Sequence, residues 1–387
     1  MRISNEAMTR TMLGYLQRGR ASVYDLQQQI SSGLRVQRPS DDPGAYSLIR
    51  YYQMADAATR QFQVNTTRTE GRLGVTDGKL QDLSNMVQRV SELVVSGSDG
   101  TKSPADRKAM GEEINQYVED AVALANTTHE GEYIFAGLRT DTVPYTVTRD
   151  ANGKISAVTY QGNQDTRSVE IGENVYVPAN LPGSDTASEH GVFQSSDTDV
   201  FADLIHIRDR LMAGENLAGT EDCTADATAD TLTIKGVYAT GSTVRLSTTG
   251  VLPAGLNGDT DYYAIRISPT EIRLALTMTD ARAGTAIDFT DNGTGQLSVA
   301  QQSLGDIGRY AEHQSAIMAR VGAYQERVAL SVKVLNANVL NNAKGIEREA
   351  SADVAAAATE LASRQTAYQA SLAITSKMMN MSLLDYI

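Results

Sequence analysis

The chain has 387 residues, with 34 basic against 47 acidic side chains and a net charge of −13. No Lys/Arg cluster stands out, which argues against a nucleic-acid partner. A single cysteine, Cys223, excludes an internal disulfide framework and lacks the companions of a metal site.

The opening MRISNEAMTRTMLGYLQRGR holds no apolar run of the length a secretory signal needs, and no stretch approaches a membrane span. The expectation is a cytosolic protein, or one that leaves by a route not reading such a signal. From about 5 to 32 a helix is predicted, with Met12, Leu16, Gly19, Val23, Leu26 and Ile30 on one stripe. Gly33 is a good C-cap. LRVQRPSDD follows, in which Ser40, Asp41 and Asp42 read as caps for a helix beginning at Pro43, because adjacent carboxylates without a third ligand do not make a site.

The second helix is long, about 43 to 96. Leu73, Thr76, Leu80, Leu83, Val87, Val90 and Val94 recur at four-three spacing, and Gly71, Gly74 and Gly78 are expected to weaken or bend its middle. Ser103-Pro104 opens a third helix to about 127, making a helical hairpin. From Tyr133 the period becomes alternating: 144–149 and 154–160 flank Asn152-Gly153, a strong hairpin signal, and 168–171 and 174–177 read as short strands. A helix returns over 199–212. His206 on it has no second His or Cys one turn away and reads as a surface or satisfied histidine.

A Thr-, Gly-, Asp- and Asn-rich texture runs from about 220 to 300, with strands TLTIKGVY, TVRLSTTG, DYYAIRIS and EIRLALTM. It reads as a small β domain inserted between helices. Helix resumes over 303–340, and Asn336, Asn338, Asn341, Asn342 and Gly345 mark an expected joint before a last helix at 347–386. That helix has Val354, Ala358, Leu361, Gln365, Tyr368, Leu372, Thr375 and Met379 at alternating steps of four and three, a coiled-coil seam. The first and last helices offer matching stripes and are expected to pair. Burying one stripe does not offset the ordering of two helices, and the alanines at 355, 356, 357, 362, 367, 370 and 373 let neighbours pack closely all round. Such ends suit a subunit that becomes ordered in an assembly.

Motifs that carry chemistry are sparse. There is no GxxxxGK[ST], GxGxxG after a strand, HExxH, GxSxG or CxxC, and His129, His190, His206 and His313 lie far apart. No catalytic, cofactor-binding or metal residue is assigned, and the expectation is that the chain is not an enzyme.

The fold class expected is α+β multidomain: a coiled coil formed by both termini (1–42 with 346–387), a mainly helical core (43–142, 198–219 and 300–345), a β-rich outer segment (143–197) and the inserted β domain (220–299). Residues 1–4 (MRIS), 27–45 (QQQISSGLRVQRPSDDPGA), 130–145 (EGEYIFAGLRTDTVPY) and the final MSLLDYI resemble the FlgL-type flagellar hook-associated family. The stretch QRVSELVVSGSDGTKSPADRKAMGEEI looks like the related flagellins. YIFAG at 133–137 and the MSLLDYI ending are similar to the hook-associated branch, whereas flagellins usually carry an FNG-type sequence and an LSLL ending.

The resemblance implies a flagellin-like subunit whose terminal helices form the inner layer of a tubular polymer. It implies self-assembly into a ring between the first hook-associated protein (FlgK) and the flagellin filament, at the hook-filament junction outside the cell. It also implies export without a cleaved signal by the flagellar type III apparatus, with the chaperone FlgN bound near the C-terminal helix. The residues expected to pack between subunits are Met12, Leu16, Val23, Leu26, Ile30, Val354, Ala358, Leu361, Tyr368, Leu372 and Met379. The inserted stretch looks like a small β module of phage tail and adhesin-like proteins, implying surface decoration or binding to a surface or glycan; of Tyr262 and Tyr263, alternation puts one in the core. A filament flagellin and an adhesin acting through the insert are the alternatives.

Overall fold

The computed structural model describes residues 5–236, 238, 240–268 and 270–384, with the side chains of 5–9 and 378–384 outside the described set. In chain order the elements are α1 (Asn5–Ser32), α2 (Pro43–Gly97), α3 (Pro104–Ala125), β1 (Thr128–His129), β2 (Glu132–Tyr133), β3 (Tyr145–Arg149), β4 (Ile155–Tyr160), β5 (Ser168–Gly172) and β6 (Val175–Pro178). Then come α4 (Val200–Ala213), β7 (Thr220–Asp226), β8 (Thr231–Thr233), β9 (Thr243–Thr248), β10 (Asp261–Ser268), β11 (Glu271–Ala275), α5 (Met278–Ala283), β12 (Leu297–Gln301), α6 (Ser303–Ala350) and α7 (Val354–Leu384). The chain divides into two compact units, residues 1–64 with 332–387 and residues 65–331.

The first unit contains α1, the start of α2, the end of α6 and α7. Two corrections to the expected helices fall here. No joint lies among Asn336, Asn338, Asn341, Asn342 and Gly345, because α6 runs through all of them to Ala350. The asparagine propensity penalty is a few tenths of a kcal/mol each, and packing overrides it: the Asn336 side chain accepts from Gln63 Nε2 at 2.9 Å, and Gly345 sits against the Tyr52 ring. The break comes instead at residues 351–353. Asp353 then caps α7, its Oδ1 accepting from the backbone N–H groups of Ala355 and Ala356 at 3.0 Å each.

The second unit builds its core where α2, α3, α4 and α6 meet. Leu80, Leu83, Val87, Val90 and Val94 of α2 face Ile114 and Val118 of α3, Leu204 and Leu211 of α4, and Ile317 and Val321 of α6, all buried. The glycines at 71, 74 and 78 do not interrupt α2. Ser103 and Asp106 form a reciprocal capping box that starts α3. Aromatic rings close the core: Phe135 meets Phe193 edge-on at 5.1 Å, and Tyr145 packs on Phe201 at 4.9 Å. The YIFAG stretch is therefore structural, with Ile134, Phe135 and Ala136 fully buried.

Three two-stranded antiparallel ribbons, β1–β2, β3–β4 and β5–β6, decorate this core. The β3–β4 ribbon turns at Asn152-Gly153, with Tyr145 paired to Tyr160. Between α4 and α6 the chain forms a closed barrel in the order β10-β11-β8-β7-β12-β9. Its interior is filled by Leu232, Val244, Leu246, Tyr262, Leu274, Phe289 and Val299. Cys223 is buried there, and burial pushes its thiol up to about 12. Tyr262 faces inward and accepts a hydrogen bond from the Asn257 amide at 2.7 Å, while Tyr263 faces outward beneath the Arg309 guanidinium. His206 is buried and its ring is hydrogen-bonded by Gln301.

Candidate assembly surface

The chain ends meet at a clamp. As α1 stops at Gly33, Leu34 forms an antiparallel bridge with Ser351. Arg35 N–H donates to the Ala350 carbonyl at 2.7 Å and Ala352 N–H to the Gly33 carbonyl at 2.9 Å. The Arg35 guanidinium adds a bond to the Glu349 carbonyl and an ion pair with Asp42, each at 3.1 Å. Val36, Ala45, Ile49 and Ala350 make a small buried cluster beside it. This clamp brings the start of α7 to the end of α1 and so sets their antiparallel pairing.

The acidic pair in the intervening loop serves the backbone. Asp42 Oδ1 accepts from Ala45 N–H at 3.0 Å, and Asp41 Oδ2 accepts from Gln37 and Arg38 N–H at 3.0 and 2.9 Å. Those backbone bonds hold the Asp41 carboxyl below its ordinary range; for Asp42 the Ala45 amide is the main cause and Arg35 a further one. Both are capping carboxylates.

Along α1, Met12, Leu16, Gly19, Val23, Leu26 and Ile30 are all half-buried, and every fourth or third residue points to α7. Gly19 lies directly on the Tyr368 ring. On α7 the half-buried or buried positions are Ala357, Leu361, Tyr368, Ser371 and Thr375. The expected stripe thus shares the Leu361, Tyr368 and Thr375 column, but its second column differs. Ala357 and Ser371 complete the seam inside the chain, whereas Ala358, Gln365 and Leu372 (43% exposed) of the second column face out, as does Val354 (46% exposed) at the head of the first. The residues four and three before Leu361, Ala357 and Ala358, are both alanine, so hydrophobicity alone does not choose between the two columns. The Met379 side chain lies outside the described residues.

A larger set of outward side chains lies off the periodic stripes. Tyr15 and Tyr24 on α1 are each 62% exposed, Tyr51 and Met54 on α2 are 65% and 68% exposed, and Leu13, Leu48, Val334, Leu340 and Ile374 also face out. The signal was there, since aromatic and long apolar residues are uncommon on helix faces meant for water. Within this unit, apolar side chains lie on several faces of the helices. Among the described residues no group of three or more His, Cys, Asp or Glu is placed to hold a metal ion, and no helix among them is long and apolar enough to cross a membrane.

The fold and surface define an α+β protein whose two chain ends pair as helices and leave apolar side chains outside. Residues 3–140 match the bacterial flagellin N-terminal helical region and residues 304–387 the bacterial flagellin C-terminal helical region, together more than half of the chain. The chain belongs to the bacterial flagellin family. It is similar to flagellar hook-associated protein 3 of Escherichia coli (strain K12), 32% identical over 146 residues that cover 38% of this chain and 46% of that protein. A flagellin of Salmonella derby is 28% identical over 113 residues, covering 29% of this chain and 22% of that protein. The solved structure of the flagellar junction protein FlgL from Legionella pneumophila aligns with a TM-score of 0.44 at 14% identity, covering 79% of this chain and all of that one. The chain spans about half the length of the curated hook-associated relatives it matches.

Proposed function

We propose that this chain is a structural, non-enzymatic subunit of the bacterial flagellum that joins the hook to the filament. One observation carries the reading: the two ends of the chain, the regions that match flagellin, form a helical unit whose apolar side chains remain half-buried or exposed. Neighbouring subunits cover those side chains, so assembly supplies the stabilisation that one copy lacks. The residues that do this are Leu13, Tyr15, Tyr24, Val354, Leu372 and Ile374 on the outward faces, with Met12, Leu16, Val23, Leu26, Ile30, Leu361 and Tyr368 holding α1 to α7.

The longer and closer match to a hook-associated protein than to a flagellin supports the junction over the filament. In this reading the copies form a ring that meets the first hook-associated protein, FlgK, on one side and flagellin on the other. The subunit reaches the cell exterior through the flagellar type III export apparatus, escorted by FlgN. Electron microscopy of cells lacking the protein, with an assay for flagellin in the medium, tests this. Bare hooks with flagellin lost to the medium are expected; normal filaments overturn it.

A further inference from the structure

A cavity of about 290 Å3 lies wholly within residues 65–331, and the assembly reading gives it no role. Three stretches far apart in sequence line it: Arg68 and Arg72 from α2, His129, Glu130 and Glu132 from the β1–β2 ribbon, and Arg167 from the approach to β5. Its walls are fixed. The Asn65 amide on α2 donates to the Glu170 carbonyl of β5 at 2.9 Å. The Arg167 N–H donates to Asn180 Oδ1 at 2.7 Å, and its carbonyl accepts from Ala179 N–H at 2.8 Å, so the backbone carrying that guanidinium is held on both sides.

The charges do not cancel. Arg72, only 13% exposed at its side chain, is committed to Glu132, with Nη1 to Oε2 at 2.7 Å, and to the Tyr133 carbonyl at 3.3 Å. Arg68 and Arg167 are exposed, and among the described residues neither side chain makes a hydrogen bond or ion pair. Glu130 is then the one lining carboxylate left to face two uncommitted guanidinium groups, in a chain whose net charge is −13. Guanidinium forks match the paired oxygens of carboxylate and phosphate. The volume is at the small end of ligand sites, which fits a small molecule or a single charged group rather than a length of chain.

We propose that this cavity binds a small oxyanion, a phosphate or carboxylate group, through Arg68 and Arg167. The two cations come from segments about one hundred residues apart, so a bound oxyanion bridges α2 to the β5–β6 ribbon and stabilises the second unit.

The test is thermal unfolding of the full chain in rising inorganic phosphate, with sodium chloride at matched ionic strength, and a parallel series in glucuronate. Wild type is expected to show a saturable rise of about 2 to 4 °C in melting temperature. The Arg68→Ala/Arg167→Ala variant is expected to melt as wild type without ligand, since both side chains are exposed and unpaired, and to lose the rise. A rise with both anions indicates a general oxyanion site, and a rise with glucuronate alone indicates a sugar acid. An equal rise in wild type and variant is solute exclusion acting on the whole surface and overturns the proposal. So does the absence of a saturable rise in wild type. Isothermal titration calorimetry with the same anions gives a second reading, in which heat of binding from the variant equal to that from wild type also overturns it.

Discussion

Gly345 of α6 packs against the ring of Tyr52 of α2: a Cβ at position 345 would stand 2.7 Å from ring carbons Cε2 and Cζ. Alanine is about 1 kcal/mol better than glycine inside a helix, but overpacking costs about 1 to 3 kcal/mol. Gly345→Ala is therefore expected to lower stability, and in a Tyr52→Ala background the same change is expected to raise it. A double-mutant cycle by urea denaturation reads the reversal. The same sign in both backgrounds would show that the ring contact does not set the choice of glycine.

Leu26 and Leu361 are half-buried in the pairing of α1 with α7. Aspartate at either position places an unpaired charge in that seam. Leu26→Asp and Leu361→Asp are expected to leave the unfolding transition of residues 65–331 unchanged by circular dichroism and to abolish incorporation into flagella. Normal incorporation of both variants would count against a seam role for these residues.

Asp203 and Asp306 are buried, the latter paired to Arg309, which also reaches the Thr243 hydroxyl. Burial pushes Asp306 up to about 6 and Asp203 well above the carboxylate range, with the charge of Asp306 adding to the shift of Asp203. Asp199 shifts the same way, and Arg309 and Arg282 oppose the shift of Asp203. A carboxyl whose folded value is raised contributes stability that is full below about pH 4 and is lost as pH rises through the folded value. For Asp306 that window is about pH 4 to 6. Asp203→Asn removes one of these ionisations, so it is expected to stabilise the protein at pH 7 and to give little at pH 4. Urea melts at both pH values check this, and a gain independent of pH would contradict it.

Gly137 ends the YIFAG stretch at φ +68°, and a side chain there would run into the Asn163 carbonyl. Both the left-handed backbone and the close backbone neighbour oppose alanine. Gly137→Ala is expected to cost more than about 3 kcal/mol, seen as a large drop in melting temperature. A drop of only a few degrees would mean that residues 163–165 move aside.

Local signals carried much of the fold. Ser103-Pro104, Asn152-Gly153 and the valine and leucine spacing of α2 each act within a few residues and could be read directly. Asparagine at 336 points locally to a break, but its partner, Gln63, lies on another helix, beyond the reach of any local signal. Asp353, followed by Val354 and four alanines, is a legible cap that the longer seam rhythm obscures. Closure of the barrel rests on the pairing of β12 with β9, Leu297 opposite Thr248, which no local pattern encodes. The charged cavity was equally hidden, because Arg68, His129 and Arg167 become neighbours through folding alone.

The barrel begins and ends on adjacent strands: β7 pairs with β12, and Thr220 lies opposite Ala300. The polypeptide therefore departs from α4 and returns to α6 through neighbouring doorways. A whole folding unit can be grafted in or excised there in one genetic event, without changing how the flanking helices thread. The flagellin helical regions match residues 3–140 and 304–387, and the barrel lies between them.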